Sequence, residues 1–127
     1  MRGRLFARAA VVGGLLFIIS VSAYAHHGKA LYDDSKLITV KGIVSSFEFT
    51  NPHVRILMDV KDAQGNVEKW VGEATSPNLL VREGWTKNIL KAGDQITATG
   101  HPAKTGSNLI RIEKLTLPNG RDILPQE

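Results

Sequence analysis

From residue 37 onward the chain alternates apolar and polar positions with the period of two that is typical of half-buried β-strands. Ile38 and Val40 fall on even positions, whereas the apolar residues after Gly42 fall on odd positions. Because such a phase change within one strand requires an extra residue, the pattern predicts a β-bulge at Gly42. The inward residues beyond it are predicted to be Ile43, Phe47 and Phe49.

Two further strands are predicted over residues 54–60 and 67–74, joined by the turn sequence "KDAQGN". Counting back from this turn places Glu73 opposite Arg55, with His53 one step away. The predicted hairpin therefore brings an imidazole close to a carboxylate.

A short helix is predicted after the third strand, because its start and its end both carry residues that helices prefer there. Ser76 suits the N-cap, Pro77 suits the first helical position and Gly84 suits the C-terminal cap. Trp85 follows, and we expect it to pack against the barrel.

Two more strands follow, one after the turn in "LKAGDQITATG" and one in "NLIRIEKLTL". An Asn119-Gly120 turn then precedes a short return strand. The order of three strands, a helix and two strands, with a long bulged first strand, predicts an all-β protein. Its expected fold is a small five-stranded OB-like barrel with one short helix between strands three and four.

The first 25 residues carry the pattern of a secretory signal peptide. Three arginines precede the apolar run "AAVVGGLLFIISV", and Ala23 and Ala25 occupy the small-residue positions before a cleavage site. The alternative, a retained membrane anchor, needs about 20 apolar residues, and this run is shorter. We therefore expect cleavage after Ala25 and a periplasmic protein that touches the membrane only through its signal peptide.

Cleavage would divide the chain into a signal peptide at residues 1–25, a flexible segment at residues 26–36 and the barrel domain at residues 37–127. Leu31 and Tyr32 are the candidate anchors of the flexible segment. Loss of three arginines lowers Lys plus Arg from 16 to 13 against 12 acids, so the mature chain is near neutral. A near-neutral exported domain disfavours nucleic acid as a partner. The chain has no cysteine, so its stability depends on core packing.

Several stretches resemble a family of small exported bacterial proteins of unknown function, DUF6152. The resemblance rests on "AHHGKALYD", "NPH", "GW", "LKAGD", "PAKTG" and "LTLPNGRDIL", and it covers nearly all of the mature chain. The first motif in that family often reads His-His-Ser, whereas Gly28 follows the pair here. The resemblance implies export and a small β-barrel, and it implies no established activity.

Histidines are the candidate metal ligands. If cleavage falls after Ala25, the α-amine and the imidazole of His26 together chelate one metal ion, and a further imidazole completes the nitrogen-rich site that Cu(II) favours. His27 offers a second mode through the amine, one backbone amide and its own imidazole. His53 is the candidate further ligand, with Glu73 as its neighbour or as another ligand.

Each assignment has a structural alternative. A solvated pair of histidines at a chain end binds divalent metals weakly without any biological role. His53 would then satisfy backbone groups at its turn, and Glu73 would pair with Arg55. His101, at the end of the fourth strand, is predicted to be exposed to water.

Two other kinds of site find less support. A soft Cu(I) site would combine His53, Met58 and Trp70, but residue parity places Met58 on the core face and His53 on the opposite face. An enzyme is disfavoured because the chain has no cysteine and its serines lie in no nucleophile motif. We therefore expect no catalytic residues.

The sequence thus predicts an exported, non-catalytic binding or accessory protein, with copper as the candidate cofactor and an unknown periplasmic protein or small ligand as the partner. The alternative is a protein- or saccharide-binding OB module with no metal, which would use the face of strands two and three. The aromatic side chains near this face, whose parity points first to the core, are Phe47, Phe49 and Trp70.

Overall fold

The computed structural model describes residues 30–125. The β-structure lies within one compact unit, Tyr32–Glu127. The predicted signal peptide at residues 1–25 lies outside the described residues, so its cleavage stays a prediction.

Five strands close into a barrel, and a short sixth strand extends the sheet. The strands are β1 (Ile38–Glu48), β2 (Arg55–Lys61), β3 (Val67–Glu73), β4 (Gln95–Pro102), β5 (Leu109–Thr116) and β6 (Asp122–Ile123). Their hydrogen-bonded order is β3-β2-β1-β4-β5-β6, and the pairing of β3 with β5 closes the barrel. Neighbouring strands pair antiparallel, except for β3 and β5, which pair parallel. This connectivity, with the helix between β3 and β4, confirms the predicted all-β OB-like fold.

Alternate residues of every long strand point into one hydrophobic core. Ile56 and Met58 on β2, and Ile110 and Leu115 on β5, are all fully buried. Each such side chain contributes about 1.5–3 kcal/mol of burial free energy. Because the chain has no disulfide, this core is what holds the barrel rigid enough to position the side chains on its outer face.

The bulge in β1 lies after Val44, not at Gly42 as predicted. The register between β1 and β2 shifts between Val44 and Ser46, so the inward residues change from even to odd positions there. Ile43 precedes the shift, and it is 45% exposed on the outer face. The prediction was wrong by a few residues because Gly42 interrupts the apolar pattern without changing its phase.

The helix between β3 and β4 is α1 (Pro77–Leu80), and a 3₁₀ turn, Val81–Glu83, continues it. Pro77 occupies the first helical position as predicted. Ser76 is the N-cap residue, but its side chain makes no capping hydrogen bond. Gly84 ends the turn with a φ of 88°, a left-handed conformation that glycine adopts at low cost. Trp85 then enters the core, where it is fully buried as expected.

Residues 32–36, the described end of the segment predicted at residues 26–36, contact the barrel, and Tyr32 is one of its two predicted anchors. Tyr32 forms an isolated antiparallel bridge with Ala103 and is only 3% exposed. The Asp33 N–H donates a hydrogen bond to the carbonyl of Pro102 at 2.8 Å. We call residues 32–36 the N-terminal strap.

Candidate functional site

A row of alternating charges crosses four strands at one end of the barrel. Glu48 on β1 lies opposite Arg55 on β2, Arg55 lies opposite Glu73 on β3, and Glu73 lies opposite Arg111 on β5. These residues share the outer face of the sheet because cross-strand partners point to the same side. In OB folds the face of strands two and three, together with the loops after strands one and four, is the usual ligand-binding surface. The charged row lies on that surface.

Glu73 connects this row to two other parts of the chain, because each of its two carboxylate oxygens accepts a hydrogen bond from a different segment. The Tyr32 hydroxyl of the N-terminal strap donates to Oε2 at 2.5 Å. The Nδ1 of His53 lies 2.5 Å from Oε1. An ionised carboxylate only accepts hydrogen bonds, so Nδ1 of His53 carries the proton in this pair.

His53 presents its imidazole to solvent from the loop between β1 and β2. The backbone beside it is fixed, since the Val54 N–H donates to Thr75 and the Ala74 N–H donates to Val54. The side chain of His53 is 47% exposed. With Nδ1 engaged by Glu73, Nε2 is the nitrogen that offers a lone pair in the neutral ring.

Tyr32 is buried between the strap and the barrel, and its hydroxyl is a permanent donor. Burial raises the pKa of Tyr32 well above its usual range, and the hydrogen bond from its hydroxyl to the Glu73 carboxylate raises it further. The Arg111 guanidinium, which lies 5.7 Å from the ring centroid, opposes this shift only in part. The hydroxyl therefore stays protonated and keeps donating to Glu73 at physiological pH.

One ion pair and one hydrogen bond to the backbone also hold the strap in place. Arg111 Nη2 lies 2.7 Å from Asp34 Oδ1. The Nδ1–H of His101 donates to the carbonyl of Lys36 at 2.6 Å, and His101 Nε2 lies 3.5 Å from Glu113. His101 is thus a strap contact with a mostly buried side chain, and the prediction that water surrounds it was wrong.

The structure corrects the role predicted for Arg55. Although Arg55 and Glu73 are register partners as expected, the Arg55 guanidinium pairs with Glu48 at 2.7 Å. The alternative in which His53 merely satisfies backbone groups, while Glu73 pairs with Arg55, is therefore not what is observed. Instead, Glu73 holds His53 directly.

Within residues 30–125, no group of three or more His, Asp or Glu side chains is arranged to hold a metal ion. The barrel brings together His53 and Glu73, but Glu73 already uses both oxygens. His26 and His27 lie outside the described residues, so their role stays a prediction. Any metal site that includes His53 needs further ligands from elsewhere.

The soft copper site is also disfavoured by the structure. Met58 is fully buried and lies opposite Trp70 on the core face of the hairpin, whereas His53 lies in an exposed loop. The aromatic residues considered for saccharide stacking are only partly exposed, and each packs against the core cluster. They are Phe47, Phe49 and Trp70.

Sequence reasoning found His53 and Glu73 and named Tyr32 as a candidate anchor, but it missed the hydrogen bond from Tyr32 to Glu73 and the place of Arg111. Tyr32 is one apolar side chain in a polar segment, a weak signal for docking. Arg111 gave no signal at all, because its place beside Glu73 depends on the parallel closure of β3 with β5. Local patterns carry no information about that long-range pairing.

Two comparisons with known proteins give different kinds of similarity. A 60-residue stretch of the chain is 33% identical to lysine–tRNA ligase of Mycoplasma pneumoniae (strain ATCC 29342 / M129 / Subtype 1). The stretch covers 46% of this chain and 12% of that enzyme, so the similarity concerns a small part of the relative. No helix among residues 30–125 is long and apolar enough to cross a membrane. The sequence profile of DUF6152, a family of unknown function, matches residues 14–110, and the protein belongs to that family.

Proposed function

We propose that this protein is an exported, non-catalytic binding protein that holds Cu(II) through histidine nitrogens, with His26 of the processed chain and His53 of the barrel as ligands. His27 is the alternative ligand at the chain end. One observation carries the proposal: the exposed imidazole of His53 is held through Nδ1 by the Glu73 carboxylate. A histidine that binds a metal through one ring nitrogen almost always donates its other N–H to such a partner.

Glu73 acts in this proposal as the group that orients His53 and not as a ligand. Its two oxygens are already engaged by Tyr32 and His53. A carboxylate that accepts from Nδ1–H directs Nε2 outward and makes that nitrogen a stronger donor. Imidazole nitrogen is among the ligands that Cu(II) binds well.

Export is supported by the pattern of the first 25 residues, and the copper proposal depends on it. The free amine of His26 exists only after cleavage behind Ala25. A chain that kept its signal peptide would lose the amine ligand, although it would keep all four histidines.

The experiment is a Cu(II) titration of untagged protein purified from a periplasm, in competition with a chelator, after native mass spectrometry has fixed the first residue. The variants are His26→Ala and His53→Ala. We expect a chain that begins at His26, one retained copper, and a loss of at least about tenfold in affinity in each variant. Equal affinity in the wild type and in the His53→Ala variant would refute the role of His53, and a chain that begins elsewhere would refute the amine ligand.

A metal-free binding module is the second candidate, and one observation favours it. Leu57 lies opposite Val71 on the outer face, and Val71 lies opposite Leu109. These partly exposed aliphatic side chains form a stripe next to the charged row on the OB binding face. A stripe of this kind suits a protein partner better than a saccharide, because sugars usually stack on exposed aromatic rings. If copper is not retained, Leu57→Asp is the variant that tests this face by loss of a co-purifying periplasmic protein.

A further inference from the structure

We propose that Tyr32 is a positioning residue for His53: by donating to Glu73, it holds the carboxylate that fixes the tautomer and the direction of the imidazole. The affinity of His53 for its ligand then depends on this hydrogen bond. The inference rests on the proposed function for the identity of the ligand, but the positioning is a property of the metal-free protein.

Arg55 and Arg111 are the neighbours of Glu73 on β2 and β5 in the sheet register. Arg55 pairs with Glu48 at 2.7 Å, and Arg111 Nη2 lies 2.7 Å from Asp34 of the strap. The strap acts on Glu73 itself through the hydrogen bond that the Tyr32 hydroxyl donates.

The hydroxyl of Tyr32 is well suited to this task. It comes from a side chain that is 3% exposed, so its direction is set by packing and not by solvent. Its ring also packs beneath the Arg111 guanidinium at 5.7 Å from the centroid. A phenylalanine at this position keeps the packing and the ring contact, and it removes only the hydrogen bond to Oε2 of Glu73.

Loss of this hydrogen bond leaves the carboxylate free to rotate, and His53 then loses its fixed partner. In metal sites, removal of a group that orients a ligating histidine typically lowers affinity by about 10–100-fold.

The test is long-range ¹H–¹⁵N NMR of metal-free Tyr32→Phe protein, with the Cu(II) affinity and the thermal midpoint measured on the same sample. Asp33→Ala is the matched control. Asp33 Oδ1 accepts from the N–H and the hydroxyl of Ser35 within the strap, and its side chain makes no contact with Glu73 among the described residues. The control loosens the strap locally without touching the carboxylate.

In the wild type we expect His53 to show a protonated Nδ1 and an unprotonated Nε2. In Tyr32→Phe we expect a mixture of the two tautomers and a loss of about 10–100-fold in Cu(II) affinity, whereas Asp33→Ala should match the wild type in both. An unchanged His53 spectrum in Tyr32→Phe would overturn the inference. So would an equal change in Asp33→Ala, since the effect would then come from strap loosening alone. If the wild type fails to bind Cu(II), the proposed function falls, and the NMR comparison alone decides the positioning role.

Discussion

Arg55 lies directly opposite Glu73 in the β2–β3 register, yet its guanidinium pairs with Glu48 and leaves Glu73 to Tyr32 and His53. Which side chain pairs with Glu73 determines what this end of the barrel can do chemically. A Glu73 carboxylate paired with Arg55 would be an ordinary surface ion pair, whereas the observed carboxylate orients an exposed imidazole.

Arg55→Ala is expected to leave the His53 site intact. The ion pair with Glu48 is partly exposed, and pairs of this kind contribute about 0–1 kcal/mol. Urea unfolding should therefore show a small loss of stability, and the His53 NMR signals should not move. A shift of those signals would mean that Arg55, and not only Tyr32, controls the carboxylate.

Glu73→Gln should weaken both the fold and the site. The amide keeps the size of the side chain but loses the charge that both hydrogen bonds favour, at a cost of about 1.5–3 kcal/mol for hydrogen bonds to a charged group. We expect Cu(II) affinity to fall by about 10–100-fold, as in other sites that lose the partner of a ligating histidine. Loss of stability with full retention of copper would assign Glu73 a purely structural role.

Alkaline pH should destabilise the protein through Tyr32. The pKa of Tyr32 is raised in the folded state by burial and by Glu73 above the ordinary value of 10.0, so its contribution to stability is complete below that value and is lost as the pH rises beyond it. Urea midpoints measured in steps above about pH 10 should fall more steeply in the wild type than in Tyr32→Phe. Tyr32 is the one tyrosine after residue 25, so the tyrosinate absorbance of a chain starting at His26 reports its titration alone. Parallel slopes in the two proteins would contradict the buried hydroxyl.

Gly100→Ala should be strongly destabilising. A Cβ at this position would lie 1.8 Å from the carbonyl oxygen of Arg111, at the irregularity in the β4–β5 register. Backbone on both sides cannot yield without breaking the pairing, so we expect a loss of about 3 kcal/mol or more in the free energy of unfolding. Gly106→Ala is the control, because nothing lies within 4 Å of its added Cβ and only its φ of +78° is unfavourable. That strain should cost about 1–2 kcal/mol, and equal losses in the two variants would argue against the close approach at Gly100.

Asp94→Asn should reduce stability at neutral pH and have little effect in strong acid. The hydrogen bonds from the Lys91 side chain and backbone lower the pKa of Asp94 below its ordinary value of 3.8. A lowered pKa means that the stabilisation is present above that ordinary value and is lost as the pH falls through the folded-state pKa. Unfolding midpoints of the two proteins should therefore converge at low pH, and a constant difference across the range would refute this origin.

The sequence alone predicted most of the barrel, because strand alternation and turn residues are local signals. Residues 54–60 alternate in a single phase, and Met58 is buried on the core face as its parity predicts. The hairpin register that pairs Arg55 with Glu73 also followed from counting back along two short strands. The error in β1 was also local. The bulge lies one residue after Val44, whereas the sequence pattern placed it at Gly42.

The candidate site depended on contacts that no local pattern encodes. Tyr32 is 41 residues from Glu73 in the chain, and Arg111 becomes a register partner of Glu73 only through the parallel closure of β3 with β5. The sequence shows which of these side chains carry a charge, but it does not show which of them pairs with Glu73. The sequence by itself determined that a barrel forms and that His53 and Glu73 come close. Tertiary structure decided that Glu73 binds Tyr32 and His53 and not Arg55, because the energy of an ion pair depends on which partner the packed backbone brings within reach.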